Sequence, residues 1–187
     1  MTPERARMEV YPVDADTFTA ELVDACVDIY GAAMHATPDD TERRRGLFIR
    51  HTLEPGWAAV AAGSPPVGFA YGFHCAPGQW WYDTLRAGLR GRRARRAVRS
   101  WLRDVFCVAE LHVRPDAQRQ GLGRALLTTL LDVRPERCTV LSTPDDAAGA
   151  RAFYARLGFT ELAEGFVFPG TPRAYTVLAR QIAPPPG

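Results

Sequence analysis

A chain of 187 residues, 47% hydrophobic and 24% charged with a net charge of +2, is expected to form one domain over 1–187 that buries a core without disulfide or metal staples. No apolar run reaches the ~18 residues a membrane span needs, and MTPERARMEV lacks the apolar core of a signal peptide, so a cytoplasmic protein is expected. The four cysteines (Cys26, Cys75, Cys107, Cys138) and four histidines (His35, His51, His74, His112) show no metal-ligand spacing, which points to reduced core thiols and no metal site.

Met8–Val13 alternates and reads as a first strand, with Asp16 or Thr17 placed to cap the helix that follows. In that helix Phe18, Leu22, Ala25, Ile29 and Ala33 recur at helical steps, and Pro38 ends the region. A more polar helix covers Asp39–Thr52. GWAAVAAG and PPVGFAYGFHCAPG, split by Gly63-Ser64-Pro65-Pro66, form a hairpin signal. Residues 79–104 then break the rhythm as an insertion, opening on Trp80-Trp81-Tyr82 and turning arginine-rich. A strand follows at Cys107–Val113, a helix at Gly121–Val133 and a strand at Cys138–Leu141. A further helix spans Ala147–Leu157, with Gly158 where a C-terminal cap belongs. Two strands, near Phe159–Phe168 and Ala174–Ala179, precede a loose tail at about 182–187. The class is mixed α/β with a largely antiparallel sheet.

The positive charge is uneven. The basic residues are all arginine, and they concentrate in RAGLRGRRARRAVRSWLR, Arg86–Arg103. The run could attract an acidic partner, but no aromatic residues interleave it as a single-strand nucleic-acid platform requires, so a solvated insertion is favoured over nucleic-acid binding.

The informative stretch is VAELHVRPDAQRQGLGRALL, Val108–Leu127. Gly121 and Gly123 do not make a dinucleotide fingerprint, because Leu126 stands at the third glycine position and Arg114–Gln120 separates strand from glycines. A GxxxxGK[ST] phosphate loop is absent. A third reading fits: a loop over Gln118–Arg124 leads into a helix whose first N–H groups and dipole face an anion, with Arg119 and Arg124 adding charge. On the glycines alone this reading and a plain helix start are evenly supported.

The flanking residues decide between them. Gln118, Gly121 and Gly123 fill the pattern [QR]-x-x-G-x-[GA] after a strand ending in Val-x-Pro, and downstream ARAFYARLGF supplies Ala150, Phe153, Tyr154, Gly158 and Phe159. Together these resemble the two signatures of the GNAT superfamily of N-acetyltransferases, closely over Phe106–Phe159 and loosely over the element order of the chain. The resemblance implies a largely antiparallel central sheet flanked by helices, with splayed central strands, and acetyl-CoA as cofactor. It implies that Gln118, Arg119, Gln120, Gly121, Leu122, Gly123 and Arg124 hold the pyrophosphate while Leu111, His112 and Val113 hold the pantetheine arm. It makes Tyr154 the proton donor to the departing thiolate, and Glu110 the base or amine-orienting group, with His112 a second candidate.

Two departures weaken the acid–base part of that pattern. Ala147 stands where the family often has Asn, with Asp145 and Asp146 beside it, and Ser142 stands where many relatives carry a glutamate. Trp80, Trp81, Tyr82 and Asp83 could wall an acceptor pocket or simply anchor the insertion. No covalent nucleophile stands out, since Cys107 and Cys138 lie in strands without a base nearby. The expectation is direct acyl transfer to a primary amine of a small molecule or peptide. The rival is a non-catalytic acyl-CoA- or drug-binding protein on the same fold. The acceptor's identity, the acyl chain length and any homodimer are left open.

Overall fold

The computed structural model describes residues 8–89 and 100–182. Of the expected loose tail at about 182–187, Ile182 is instead buried, its N–H donating to the Arg137 carbonyl at 2.9 Å, while residues 183–187 and most of the arginine-rich run lie outside the described residues. Among the described residues seven strands follow the order β1-β2-β3-β4-β5-β7-β6. The chain divides into two compact units, Met1–Gly72 with Ala109–Val133, and Phe73–Val108 with Arg134–Gly187. Strands β3 (Gly68–Cys75) and β4 (Val105–Val113) run through both.

In the first unit, β1 (Val10–Val13), β2 (Ala58–Ala62) and the start of β3 are antiparallel, with Tyr11 opposite Ala61 and Ala59 opposite Tyr71. Helix α1 (Ala20–Met34) starts at Thr19, whose hydroxyl accepts the Leu22 N–H. The expected cap at Asp16 or Thr17 is displaced because Ala15–Thr17 forms a short 3-10 turn, in which the Asp14 N–H donates to Thr17 Oγ1 at 3.0 Å. Pro38, expected to end a helix, instead opens α2 (Pro38–His51). The first helical position lacks an intrahelical acceptor for its N–H, so proline loses nothing there. Thr37 and Asp40 complete a reciprocal cap, the Asp40 N–H donating to Thr37 Oγ1 at 3.2 Å.

These helices bury Cys26, Ile29, Tyr30 and Phe48 against Ala59, Ala61, Phe69 and Tyr71, with Phe48 and Tyr71 fully enclosed. The helix that follows the glycine loop buries Leu122, Leu126, Leu127, Leu130 and Leu131 and packs on β1 and β2. A Cβ on Gly68 would lie 3.1 Å from Leu126 Cδ1, a tight contact between helix and strand.

The second unit holds α3 (Trp80–Gly88), then the first half of β4 in parallel pairing with β5 (Cys138–Pro144) over Val105–Cys107 and Cys138–Val140. Strand β7 (Ala174–Gln181) is antiparallel to β5 and to β6 (Thr160–Val167). Buried Phe106, Val140, Leu141, Val177, Leu178 and Ala179 fill this part of the sheet. No helix among the described residues is long and apolar enough to cross a membrane.

Candidate active site

The candidate site residues fall into three groups, and the two units hold them separately. In the first unit, β4 ends at Val113 and Pro115 opens a 3-10 turn over Pro115–Ala117. Gln118 Nε2 donates to the Val113 carbonyl at 3.0 Å, tying the loop back to the strand it left. Arg119 has φ +63° and Gly121 φ +85°, both left-handed, and such a conformation is uncommon away from glycine. Gly121 caps α4 (Leu122–Asp132) without a side chain, so the N–H groups of Leu122, Gly123 and Arg124 face outward without intrahelical acceptors. A Cβ built on Gly121 meets nothing within 4 Å. The main chain is therefore bare there, with exposed Arg119 and Arg124 beside it, no acidic residue in the first turn, and Leu122 buried as an anchor. A diphosphate fits this open cradle, by backbone donors, helix dipole and arginine charge together.

The same unit places Glu110 and His112 on one face of β4, as strand alternation requires. Glu110 is buried and spends both carboxylate oxygens. Oε1 accepts from Arg44 Nη1 at 2.7 Å, and Oε2 lies 2.6 Å from His112 Nε2. Burial alone would raise the Glu110 pKa, but the His112 hydrogen bond and the Arg44 charge outweigh it, and the carboxyl is held below its ordinary value. Arg44 Nη2 also donates to the Tyr30 hydroxyl at 3.2 Å, with the guanidinium 4.7 Å above that ring. Tyr30 in turn meets the His112 ring edge-on at 5.2 Å. Sequence reading missed Arg44 and Tyr30. Arg44 stands four residues before fully buried Phe48 and seven before His51, an inward-facing helical stripe that the triple arginine Arg43–Arg45 disguised.

In the second unit, α5 (Ala148–Arg156) ends in a paired-turn cap. The Phe159 N–H donates to the Tyr154 carbonyl at 3.1 Å, the Gly158 N–H to Ala155 at 3.0 Å, and Gly158 has φ +82°. That cap sets Tyr154, nearly buried, against Phe159 at 5.4 Å between ring centres. Ala147 is the N-cap of α5 and makes no side-chain cap hydrogen bond. Neither neighbouring carboxylate takes over the missing amide. Asp145 accepts from Thr176 Oγ1 at 2.6 Å and the Gly165 N–H at 3.0 Å, and Asp146 pairs with Arg173 at 2.9 Å.

Trp80, Trp81, Tyr82 and Asp83 have different partners. They sit on a helix, where about 100° per residue turns neighbours to different faces. Trp80 and Trp81 lie 5.9 and 6.3 Å from Phe168, while buried Tyr82 donates to the Leu102 carbonyl at 3.1 Å. Asp83 accepts the Gly78 N–H at 3.1 Å. Among the described residues no group of three or more His, Cys, Asp or Glu is placed to hold a metal ion.

An open helix start with uncovered N–H groups, following a strand that carries a buried carboxylate–imidazole pair, is the arrangement to set beside known proteins. A family model for an acetyltransferase (GNAT) domain matches residues 84–161. A GCN5-like protein acetyltransferase of Mycobacterium tuberculosis is 35% identical over 182 residues, covering 82% of this chain and 88% of that protein. The ribosomal protein bS18 alanine N-acetyltransferase of Escherichia coli is 39% identical over 83 residues, 43% of this chain and 56% of that enzyme. A crystal structure of the Escherichia coli ribosomal-protein-S18-alanine N-acetyltransferase superposes with a TM-score of 0.62 at 20% identity, covering 94% of this chain and 95% of the other. The PaiA N-acetyltransferase of Thermoplasma acidophilum, solved with coenzyme A, gives a TM-score of 0.61 at 10% identity, covering 93% and 99%. The chain belongs to the GNAT superfamily of N-acetyltransferases and uses acetyl-CoA.

Proposed function

We propose that this N-acetyltransferase transfers the acetyl group directly to a primary amine of a peptide, using the Gln118–Arg124 cradle for the cofactor and the Glu110–His112 pair for the amine's proton. The cradle is the observation that carries the reading. The left-handed turns at Arg119 and Gly121 leave a run of N–H donors uncovered ahead of α4. Those amides, with Arg119 and Arg124, would hold the diphosphate, and Gln118 would keep the loop against β4. Leu111, His112 and Val113 would offer the main chain of β4 to the pantetheine arm. When bound, acetyl-CoA supplies the acetyl group in activated thioester form.

The remaining steps fall to this chain's own side chains. The acceptor nitrogen must lose a proton to attack, and a buried carboxylate with a bonded imidazole suits that task. Tyr154 would supply a proton from its hydroxyl to the leaving sulfur. Direct transfer is supported by the thiols, because Cys26, Cys75, Cys107 and Cys138 are all buried, and burial pushes Cys26 up to about 12. The peptide class is supported by the mycobacterial relative, named a protein acetyltransferase, over most of its length. Trp80, more than half exposed, and Trp81 offer an apolar face to an acceptor side chain.

The test is a panel of peptides differing at the N-terminal residue and in lysine content, set beside small amines, with coenzyme A release followed and products identified by mass. Acetylated peptides are expected. Acetylation of small amines alone overturns the peptide acceptor, and tight acetyl-CoA binding without product from any amine selects a non-catalytic binding protein instead. Within that assay Tyr154→Phe is expected to cut kcat by about a hundredfold or more while the Kd for acetyl-CoA stays within twofold, as about the lower bound of general-acid contributions implies. An unchanged kcat removes Tyr154 from the chemistry.

A further inference from the structure

We propose that Arg44 is a positioning residue for proton transfer, clamping Glu110 so that Glu110 holds His112 in the tautomer whose Nδ1 receives the acceptor's proton. This rests on the reading of Glu110 and His112 as the acid–base pair and divides the work between them. Glu110 has no oxygen to spare: one binds Arg44 and the other His112. A carboxylate only accepts, so His112 Nε2 carries the hydrogen and the lone pair of the neutral ring falls on Nδ1. In the step itself an N–H bond of the protonated amine breaks and the proton bonds to Nδ1. The electron pair left on nitrogen becomes the nucleophile, and the imidazolium keeps its Nε2–H on Glu110.

Five groups belong to the network of the Arg44–Glu110 pair. Tyr30 comes from α1, Arg44 and His51 from α2, Tyr71 from β3 and His112 from β4 itself. His51 Nδ1 lies 2.9 Å from the Tyr71 hydroxyl, and burial moves that imidazole toward its neutral form. Arg44 is the fixed cation. Burial opposes its charge, but Glu110 and Tyr30 more than restore it. A guanidinium can serve Glu110 and Tyr30 at once through its two terminal nitrogens, which an ammonium cannot do with the same planar geometry. Arg44 therefore keeps Glu110 ionised and oriented.

The experiment is the pH profile of kcat/KM for the wild type and Arg44→Gln, with acetyl-CoA affinity measured alongside. Loss of the cation leaves Glu110 to stabilise the imidazolium unopposed, so the acid limb should move to higher pH. The Kd for acetyl-CoA should stay within twofold. A fall in amplitude with no movement of the limb marks a merely structural arginine and overturns the proposal. A wild-type profile with no acid limb overturns the acid–base reading of the pair, and the positioning role with it. Should Arg44→Gln not fold, long-range 15N–1H correlation spectra of the wild-type histidines decide the point. His112 is expected as the Nε2–H tautomer when neutral, and the Nδ1–H tautomer overturns the assignment.

Discussion

Glu110→Gln lowers the melting temperature by about 6–12 °C and turnover by about a hundredfold. The first figure follows from removing one partner of a buried ion pair, which costs about 3–5 kcal/mol when the other charge is stranded. Arg44 keeps 31% of its side chain exposed, so the lower end applies. A domain of this size loses about 2–4 °C per kcal/mol. The neutral amide keeps the shape but gives Arg44 no counter-charge, and it turns an acceptor into a group that can present hydrogens to His112. The second figure is the lower bound of what general-base catalysis contributes, lost here because His112 is no longer held with its Nδ1 free to accept. The effect also has a pH signature. Glu110 in the folded protein titrates below its ordinary 4.5, so the unfolded chain takes up that proton first as pH falls. The stability it contributes is whole above that value and is lost as pH falls through the folded one. The gap in melting temperature between wild type and Glu110→Gln should therefore narrow steadily below about pH 4.5, as linkage requires. Equal melting at pH 7, or a gap that widens in acid, contradicts the buried pair.

Locally written features of the site were legible in the amino-acid order. Gln118, Gly121 and Gly123 announce a loop and helix start because left-handed backbone and bare N–H groups are properties of a few consecutive residues. Gly158 marks the end of α5 for the same reason, and its cap follows with both expected hydrogen bonds. The hairpin of β2 and β3 is carried by its turn residues and flanking apolar runs. Alternation also put Glu110 and His112 on one face. What was hidden is tertiary. Arg44 and Glu110 are 66 positions apart, and no spacing rule joins a helix residue to a strand residue across that gap. Pro38 misled for a different reason: proline both ends and begins helices. How the side chains of Trp80–Asp83 are distributed depends on the helix that winds them around its axis, which their adjacency in sequence does not show.

Gly121→Val should weaken acetyl-CoA binding by at least tenfold, about 1.4 kcal/mol, and should do so by two routes. At φ +85° a β-branched residue is a steric outlier, and holding an L-residue left-handed costs about 1–2 kcal/mol. Part of that cost is relieved if the loop rotates out of the left-handed region, which would turn the N–H groups of Leu122 and Gly123 off their common target. Any side chain that stays enters the open side of the loop, where a Cβ meets nothing within 4 Å and where, on the proposed reading, a diphosphate would approach the main chain. Gly170→Val is the control. Gly170 has φ +82° and equally open surroundings, so it carries the same backbone cost, but it belongs to the turn between β6 and β7. Both variants should melt a few degrees lower, about 2–4 °C per kcal/mol of strain. Only Gly121→Val should show the tenfold rise in Kd by titration calorimetry with acetyl-CoA. The loss should persist when the titration is repeated at high salt, because it comes from close-range main-chain donors, whereas the contribution of exposed Arg119 and Arg124 is screened away. Wild-type affinity in Gly121→Val, or the same rise in Gly170→Val, would remove the cradle from cofactor binding.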